Sequence, residues 1–129
     1  MDQSAGKILI VDDEPALLKM MSVYLGRLGY PVATADSTDT AWREVQVAPS
    51  SYAIAVLDAT MSGMTMEDLA TRLLGANPSL CVLAASGYPV DTTSLEAVAP
   101  GRVSFLHKPF TPEMLAAAVR RMLAAQEKV

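Results

Sequence analysis

The chain has 129 residues, of which 51% are hydrophobic and 19% charged, with a formal net charge of -4 and one cysteine. This length predicts one domain with a substantial core, and the acidic balance argues against direct binding of nucleic acid. A single cysteine cannot form an internal disulfide. The chain shows neither a signal-peptide pattern nor an apolar run long enough to cross a bilayer. We therefore expect a cytoplasmic protein without membrane contact.

Five short apolar runs predict buried β-strands. The second run begins with a proline and contains Thr34, which favours an edge position in a sheet. The first, third and fourth runs are continuously apolar, as central strands covered on both faces are. In chain order, the predicted strands are Lys7–Val11, Pro31–Ala35, Tyr52–Leu57, Leu80–Ala85 and Arg102–Leu106.

A stretch with helical spacing follows each of these runs. Several stretches begin with capping signals, such as Pro15 in a first turn, Ser37 before the second stretch and Thr111 before the fifth. The fourth stretch is a weak helix former because it has consecutive Thr and Ser residues. The predicted helices are Pro15–Leu28, Thr38–Val47, Met66–Ala76, Asp91–Ala97 and Pro112–Gln126.

The alternation of strand and helix, repeated five times, predicts an α/β fold. Such a chain forms a doubly wound parallel sheet with helices on both faces and right-handed crossovers. No linker or low-complexity segment divides the sequence, so we expect one domain over residues 7–125. Residues 1–6 and 126–129 are expected to be flexible ends.

Polar residues stand at the ends of four predicted strands. The carboxyl ends of parallel strands share one edge of a sheet, and ligands bind at that edge. Three carboxylates, a hydroxyl and an ammonium are therefore expected to meet in one crevice. These groups belong to Asp12 and Asp13 after the first strand, Asp58 after the third, Ser86-Gly87 after the fourth and Lys108-Pro109 after the fifth.

This set of groups suits a divalent cation and a phosphoryl group. Mg²⁺ prefers oxygen ligands such as carboxylates, whereas one Cys and one His are too few for a typical zinc site. Asp58 can act as a nucleophile that forms an aspartyl phosphate, with Lys108 and Ser86 beside the transferred group. Taken singly, each motif also has a purely structural interpretation, because Asp residues cap helices and Ser-Gly forms turns.

With these residues in place, the chain resembles the receiver domain of two-component response regulators from Lys7 to Ala125. The resemblance implies a flavodoxin-like sheet of strand order 2-1-3-4-5 flanked by five helices. It also implies a signalling domain that is not an enzyme beyond its own phosphorylation and dephosphorylation. The motifs that carry the resemblance are Ile8–Pro15, Leu57-Asp58 with Met61, Ser86-Gly87 and Lys108–Phe110.

The resemblance also implies a role for each residue of the crevice. Asp58 would be the phosphoacceptor, and the phosphoryl group would come from the phosphohistidine of a histidine kinase. Mg²⁺ would be held by Asp13, Asp58 and the backbone carbonyl of Thr60, with Asp12 acting directly or through water. Lys108 would contact the phosphoryl group.

Two further residues are implied to form the switch. The hydroxyl of Ser86 would move toward the new phosphate, and Phe105 occupies the aromatic position coupled to that movement. A downstream protein or domain would then bind the face built from the fourth helix, the fifth strand and the fifth helix. The weak fourth helix favours this face as the one that changes.

The chain departs from the usual receiver pattern at three places. Ser62 stands where a proline is usual, and Thr65-Met66 stands where Asp-Gly is common, so the loop before the third helix is expected to differ in shape. Phe105 lacks the hydroxyl of the commoner tyrosine. A buried core phenylalanine without a signalling role is the alternative interpretation of that residue.

Other functions remain open from the sequence. The main alternative is a pseudo-receiver that is not phosphorylated and serves only as a protein-interaction module. A hydrolase that uses an aspartyl phosphate would need a second acid at position 60, which is Thr60, and a flavodoxin would need a phosphate loop after the first strand. The run Ser86–Pro89 resembles receivers of hybrid histidine kinases, so either a separate regulator or part of such a kinase is compatible with the chain.

Overall fold

The computed structural model describes the backbone of residues 6–61 and 63–127, and the side chains of that range up to residue 125. Within it, five strands alternate with five α-helices, and a short 3₁₀ helix precedes the third strand. In chain order, the elements are β1 (Lys7–Val11), α1 (Pro15–Arg27), β2 (Val32–Ala35), α2 (Thr38–Val47), β3 (Tyr52–Asp58), α3 (Met66–Ala76), β4 (Cys81–Ser86), α4 (Thr93–Val98), β5 (Val103–His107) and α5 (Pro112–Glu127).

The strands form one parallel sheet in the order β2-β1-β3-β4-β5. The predicted α/β fold, with its doubly wound sheet and flavodoxin-like strand order, is therefore confirmed. The second strand lies at an edge, as the proline and threonine of its apolar run indicated, but β2 begins at Val32 and not at Pro31. In β3, which is central, Ala55 and Leu57 face one hydrophobic core while Ile54 and Val56 face the other.

Helices cover both faces of this sheet. The core with Ala55 and Leu57 is closed by α2, α3 and α4, through side chains such as Val45, Leu73 and Leu95. The opposite core is closed by α1 and α5, through side chains such as Leu25 and Val119. Cys81 is buried in the strand where it was predicted, and no helix within the described residues is long and apolar enough to cross a membrane.

Three of the strands, β3, β4 and β5, extend one residue further toward the polar edge than the apolar runs indicated. Asp58 and Ser86 are the last residues of β3 and β4, not the first residues after them. Parallel pairing continues through Asp58 opposite Ala85 and through Ser86 opposite His107. The main-chain hydrogen bonds of a sheet do not depend on side-chain polarity, so the ladder runs one residue past the apolar run.

Helix ends follow local side-chain hydrogen bonds. Ser37, Thr65 and Thr111 accept hydrogen bonds from backbone N–H groups in the first turns of α2, α3 and α5, which confirms the predicted caps Ser37 and Thr111. The fourth helix begins at Thr93 rather than Asp91, because the Asp91 carboxylate accepts the N–H of Thr93 and forms a turn there.

The ends of the domain are only partly described. Gly6 lies so close to β3 that a Cβ on it would come within 2.7 Å of the Ala53 Cβ. The last helix continues to Glu127. The other residues of the predicted flexible ends, 1–5 and 128–129, lie outside the described residues, as does Ser62.

At the amino-terminal ends of the strands, Arg102 links three segments of backbone. Its guanidinium donates hydrogen bonds to the carbonyl oxygens of Leu74, Asn77 and Leu80, at 3.2, 2.6 and 2.9 Å. The side chain of Asn77 in turn donates to the carbonyl oxygen of Tyr52 at 2.8 Å. These bonds join the end of α3 to the starts of β3, β4 and β5, far along the strands from the polar edge.

Candidate functional site

Three carboxylates meet at the carboxyl edge of the sheet, as predicted. Asp12 and Asp13 follow β1, and Asp58 ends the adjacent strand β3. Asp12 and Asp58 are buried, with 2% and 4% of their surface exposed, whereas Asp13 is open to solvent. One carboxylate oxygen from each residue lies within 4.8 Å of the other two. The edge therefore concentrates negative charge around two buried groups and one accessible group.

Lys108 is the cation that faces these carboxylates. Its Nζ donates a hydrogen bond to Oδ2 of Asp12 at 3.2 Å and lies 3.5 Å from Oδ1 of Asp58. Burial by itself would lower the pKa of Lys108, but the hydrogen bond and the charge of Asp12, together with the charge of Asp58, outweigh it and raise that pKa. Lys108 is therefore held as an ammonium next to the carboxylates at neutral pH.

The same kind of local turn ends β1, β3 and β4. In each case a side-chain oxygen of residue i accepts the backbone N–H of residue i+2: Asp12 Oδ1 from Glu14 at 2.9 Å, Asp58 Oδ1 from Thr60 at 3.1 Å and Ser86 Oγ from Tyr88 at 3.1 Å. Asp and Ser favour such turns because their short side chains reach the following backbone. The residues that turn the chain are thus the residues that supply the polar groups of the crevice.

Asp58 receives a second hydrogen bond from the same neighbour. The hydroxyl Oγ1 of Thr60 donates to Oδ1 of Asp58 at 3.0 Å, alongside the Thr60 N–H. The sequence pattern assigned a ligand role only to the backbone carbonyl of Thr60 and did not indicate this side-chain contact. A hydroxyl two residues after an acid at a strand end is the signal that indicates it.

Ser86 is fully buried beside the backbone of Lys108. The Lys108 N–H donates to the carbonyl oxygen of Ser86 at 2.7 Å, which fixes the two strand ends against each other. In the described part of the chain, the Ser86 hydroxyl bonds to the N–H of Tyr88 and to neither Asp58 nor the Lys108 ammonium. The serine thus belongs to the predicted crevice but contacts none of its charged groups here.

Beside the ammonium lies a cavity of about 430 Å³. Its walls come from the start of α1 and from the loop after β5, in which the Lys108–Pro109 peptide bond is cis. The lining residues are Glu14, Leu17, Gly87, Lys108, Pro109 and Phe110. This opening leads from solvent to Lys108, whose side chain is 21% exposed.

Comparison with known protein families identifies the kind of domain that contains this site. The sequence profile described as the response regulator receiver domain matches residues 8–120. The chain belongs to the response regulator receiver domain family. The matched range includes every residue of the crevice, from Asp12 to Lys108.

Curated relatives of this receiver domain include transcriptional regulators. It is 31% identical over 120 residues to the DNA-binding transcriptional regulator NtrC of Azospirillum brasilense, covering 93% of this chain and 24% of that protein. It is 28% identical over 125 residues to the alginate biosynthesis transcriptional regulatory protein AlgB of Pseudomonas aeruginosa, covering 97% and 27%. The chain thus spans about a quarter of the length of these relatives, and they do not support the expected hybrid histidine kinase.

Solved structures match the receiver domain over nearly its whole length. A response regulator receiver domain protein from Clostridium thermocellum superposes with a TM-score of 0.82 at 24% identity, covering 95% of this chain and 98% of that one. The chemotaxis protein CheY4 of Vibrio cholerae gives a TM-score of 0.79 at 26% identity, covering 92% and 99%. These likenesses agree with the strand order and the helical layers described above.

Phe105 of the receiver domain is not a core residue. Its side chain is 38% exposed on the edge strand β5, and its ring stands edge-on to His107 with 6.0 Å between the centroids. The alternative of a buried core phenylalanine is therefore wrong, because the short helix α4 leaves this edge of the sheet partly uncovered. His107 Nδ1 lies 2.7 Å from the Lys108 carbonyl oxygen, so the imidazole faces the backbone.

The donor set of the crevice fits Mg²⁺. All three side chains that can ligate an ion are carboxylates, and Mg²⁺ binds through one or two carboxylates while it keeps water or phosphate oxygens in its other positions. The exposed Asp13 gives such an ion access, and the buried Asp12 and Asp58 give it charge to neutralise. A site of this composition can hold a divalent cation next to a phosphoryl group.

Proposed function

We propose that this receiver domain accepts a phosphoryl group on Asp58 from the phosphohistidine of a histidine kinase, with Mg²⁺ bound, and then presents a changed surface to a partner. The observation that supports this proposal best is the position of Lys108. Its ammonium lies 3.5 Å from Oδ1 of Asp58, inside a cluster of three carboxylates at the carboxyl edge of the sheet. A carboxylate held beside a cation is suited to phosphoryl transfer.

The proposed transfer needs no proton from the protein. A carboxylate oxygen of Asp58 uses a lone pair to form the bond to phosphorus. The bond from phosphorus to the imidazole nitrogen of the kinase breaks, and its electron pair stays on that nitrogen. A proton on the other ring nitrogen makes the leaving group a neutral imidazole. Lys108 then pairs with a phosphoryl oxygen, which places positive charge where negative charge collects during the transfer.

In this proposal the ion would be held by Asp13, Asp58 and the backbone carbonyl of Thr60, and Asp12 would act directly or through water. Bound Mg²⁺ offsets the charge that would otherwise repel an anionic phosphodonor from this edge. Asp12 also holds Lys108 in place, through the hydrogen bond at 3.2 Å.

The switch in this proposal uses Ser86 and the face beyond it. A phosphorylated Asp58 carries a negative charge of nearly two in place of the single charge of its carboxylate, and the Ser86 hydroxyl can donate a hydrogen bond to it. The surface formed by α4, β5 and α5 exposes Val98, Phe105 and Met114, which are 58%, 38% and 46% exposed. We propose that a downstream protein or domain binds this surface in the cytoplasm, without direct contact of this chain with nucleic acid.

Intact mass tests the proposal directly. The wild-type chain is incubated with acetyl phosphate, with and without Mg²⁺, beside Asp58→Asn and the control Asp36→Asn. Asp36 is another acid at a strand end, but it is exposed and lies outside the carboxylate cluster. We expect one added phosphoryl group in wild type and in Asp36→Asn, only with Mg²⁺, and none in Asp58→Asn. A wild type without this gain, also when a histidine kinase supplies the phosphoryl group, would favour the pseudo-receiver alternative.

A further inference from the structure

We propose that the Thr60 side chain is a positioning group that determines which oxygen of Asp58 reacts. This inference rests on the proposed phosphorylation of Asp58 and deepens it. The hydroxyl of Thr60 holds Oδ1 in place, so Oδ2 is the oxygen that attacks phosphorus. Thr60 itself neither bonds to the phosphoryl group nor transfers a proton.

The two oxygens of Asp58 have unequal surroundings. Oδ1 faces three donors: the Thr60 N–H at 3.1 Å, the Thr60 hydroxyl at 3.0 Å and the Lys108 ammonium at 3.5 Å. The two hydrogen bonds from Thr60 occupy lone pairs of Oδ1, and the Lys108 ammonium is paired with the same oxygen. Among the described residues, no hydrogen bond reaches Oδ2. Oδ2 is therefore the less engaged oxygen of the carboxylate.

The Thr60 hydroxyl gives Oδ1 of Asp58 a second hydrogen-bond donor, which the backbone turn alone does not supply. At Asp12 and Ser86 the residue two positions on contributes only its backbone N–H, whereas at Asp58 it contributes an N–H and an O–H. Rotation of a carboxylate about its last bond is broad and poorly restricted. Two donors from different directions on one oxygen restrict that rotation, and a nucleophile held in its reactive orientation reacts faster.

With acetyl phosphate as donor, the proposed step is balanced. A lone pair of Oδ2 forms the new bond to phosphorus while the bond from phosphorus to the acetate oxygen breaks. The electron pair of that bond leaves with acetate. One carboxylate is consumed and one is released, so no proton, oxidant or reductant is required.

The test compares variants that differ only in the hydroxyl. Thr60→Val keeps the shape of the side chain and removes its donor, whereas Thr60→Ser keeps the donor. We expect Thr60→Val to lower the maximal rate of phosphorylation by acetyl phosphate about threefold to tenfold, the effect of one hydrogen bond. The donor concentration at half-maximal rate should not change, because Thr60 does not touch the donor. Thr60→Ser should stay within about twofold of wild type.

A matched control is available in α3. Thr71 is also an exposed threonine whose hydroxyl donates to an oxygen, the Glu67 carbonyl at 2.9 Å, and Thr71→Val should phosphorylate like wild type. If Thr60→Val does not fold, as judged by circular dichroism, Thr60→Ala and Thr60→Ser give the same comparison. In that pair, a slower Ala variant supports the inference and equal rates overturn it.

The outcomes separate this inference from the function on which it rests. A wild type that is phosphorylated together with a Thr60→Val variant that is equally fast or faster would overturn the inference and leave the proposed function intact. A Thr60→Ser variant as slow as Thr60→Val would also overturn it, because the hydroxyl would then not be the cause. A wild type that takes no phosphoryl group would overturn both.

Discussion

The ammonium of Lys108 donates a hydrogen bond to Oδ2 of Asp12 at 3.2 Å, although the two residues are 96 positions apart in the chain. The same ammonium lies 3.5 Å from Asp58. One cation thus serves two buried carboxylates, and its closer partner is the one that is not proposed to be phosphorylated. Asp12 therefore holds Lys108 beside Asp58.

Removal of this cation is expected to destabilise the domain. Lys108→Met keeps the length of the side chain but leaves Asp12 and Asp58 without a counter-charge. A partner lost from a buried ion pair costs several kcal/mol, and because 21% of the Lys108 side chain is exposed we expect a smaller loss of about 1–3 kcal/mol in the free energy of unfolding. Urea unfolding measures it, with Lys19→Met on the exposed side of α1 as control. Equal stability of Lys108→Met and wild type would contradict this account of the pair.

The stability that Lys108 contributes should depend on pH in a defined direction. Its pKa is raised in the folded state above the ordinary value of 10.5. The contribution is therefore fully present below the unfolded pKa and is lost as the pH rises through the folded pKa. The difference in unfolding free energy between wild type and Lys108→Met should be constant from pH 7 to about pH 10 and then shrink. A difference that grows at alkaline pH would contradict the raised pKa.

The alternation of strands and helices could be predicted from the sequence, whereas the strand order was implied by the family resemblance. Continuous apolar runs such as those in β1 and β4 are too short for a typical helix and fit a strand covered on both faces. The strand ends were less certain, because polarity at Asp58 and Ser86 was taken as the end of pairing. Main-chain pairing continues through both residues, since a polar side chain at the sheet edge can face the crevice while its backbone stays in the ladder.

The hydrogen bonds of the Arg102 guanidinium allow a prediction at the amino-terminal ends of the strands. Arg102→Met removes the donors for the carbonyl oxygens of Leu74, Asn77 and Leu80, so we expect a loss of about 1–3 kcal/mol in unfolding free energy. Because these groups lie away from the carboxylate cluster, the initial rate of phosphorylation should be unchanged at temperatures where the variant is folded. Arg120→Met, an exposed change on α5, is the control. A slower phosphorylation in folded Arg102→Met would show coupling that this structure does not suggest.

The fourth helix is tethered to the third by one side-chain hydrogen bond. The Ser94 hydroxyl donates to the Glu67 carboxylate at 2.7 Å, and Leu95 is the one residue of this short helix that is fully packed. In Ser94→Ala we expect the amides of α4 to exchange with deuterium about twofold to fivefold faster, the effect of a weak exposed hydrogen bond. Hydrogen–deuterium exchange with mass spectrometry detects this, and Ser22→Ala in α1 is the matched control. Unchanged exchange in α4 would show that packing of Leu95 alone holds the helix.

The candidate site was predictable in its composition but not in its contacts. The rule that parallel strands share a carboxyl edge was enough to place Asp12, Asp13 and Asp58 together with Lys108. It could not show that Lys108 is closer to Asp12 than to Asp58, because both acids lie at the same edge. The exposure of Phe105 also depends on tertiary structure, since it results from a short α4 beside an edge strand.

The central claim is that Asp58, and no other acid of the cluster, carries the phosphoryl group. Borohydride reduces an acyl phosphate to an alcohol, so a phosphorylated aspartate becomes homoserine, which peptide mass spectrometry can locate. After treatment of wild type with acetyl phosphate and Mg²⁺, we expect homoserine at position 58 alone, and none without Mg²⁺. Homoserine at position 12 or 13, or a phosphoryl group that resists borohydride, would contradict the claim.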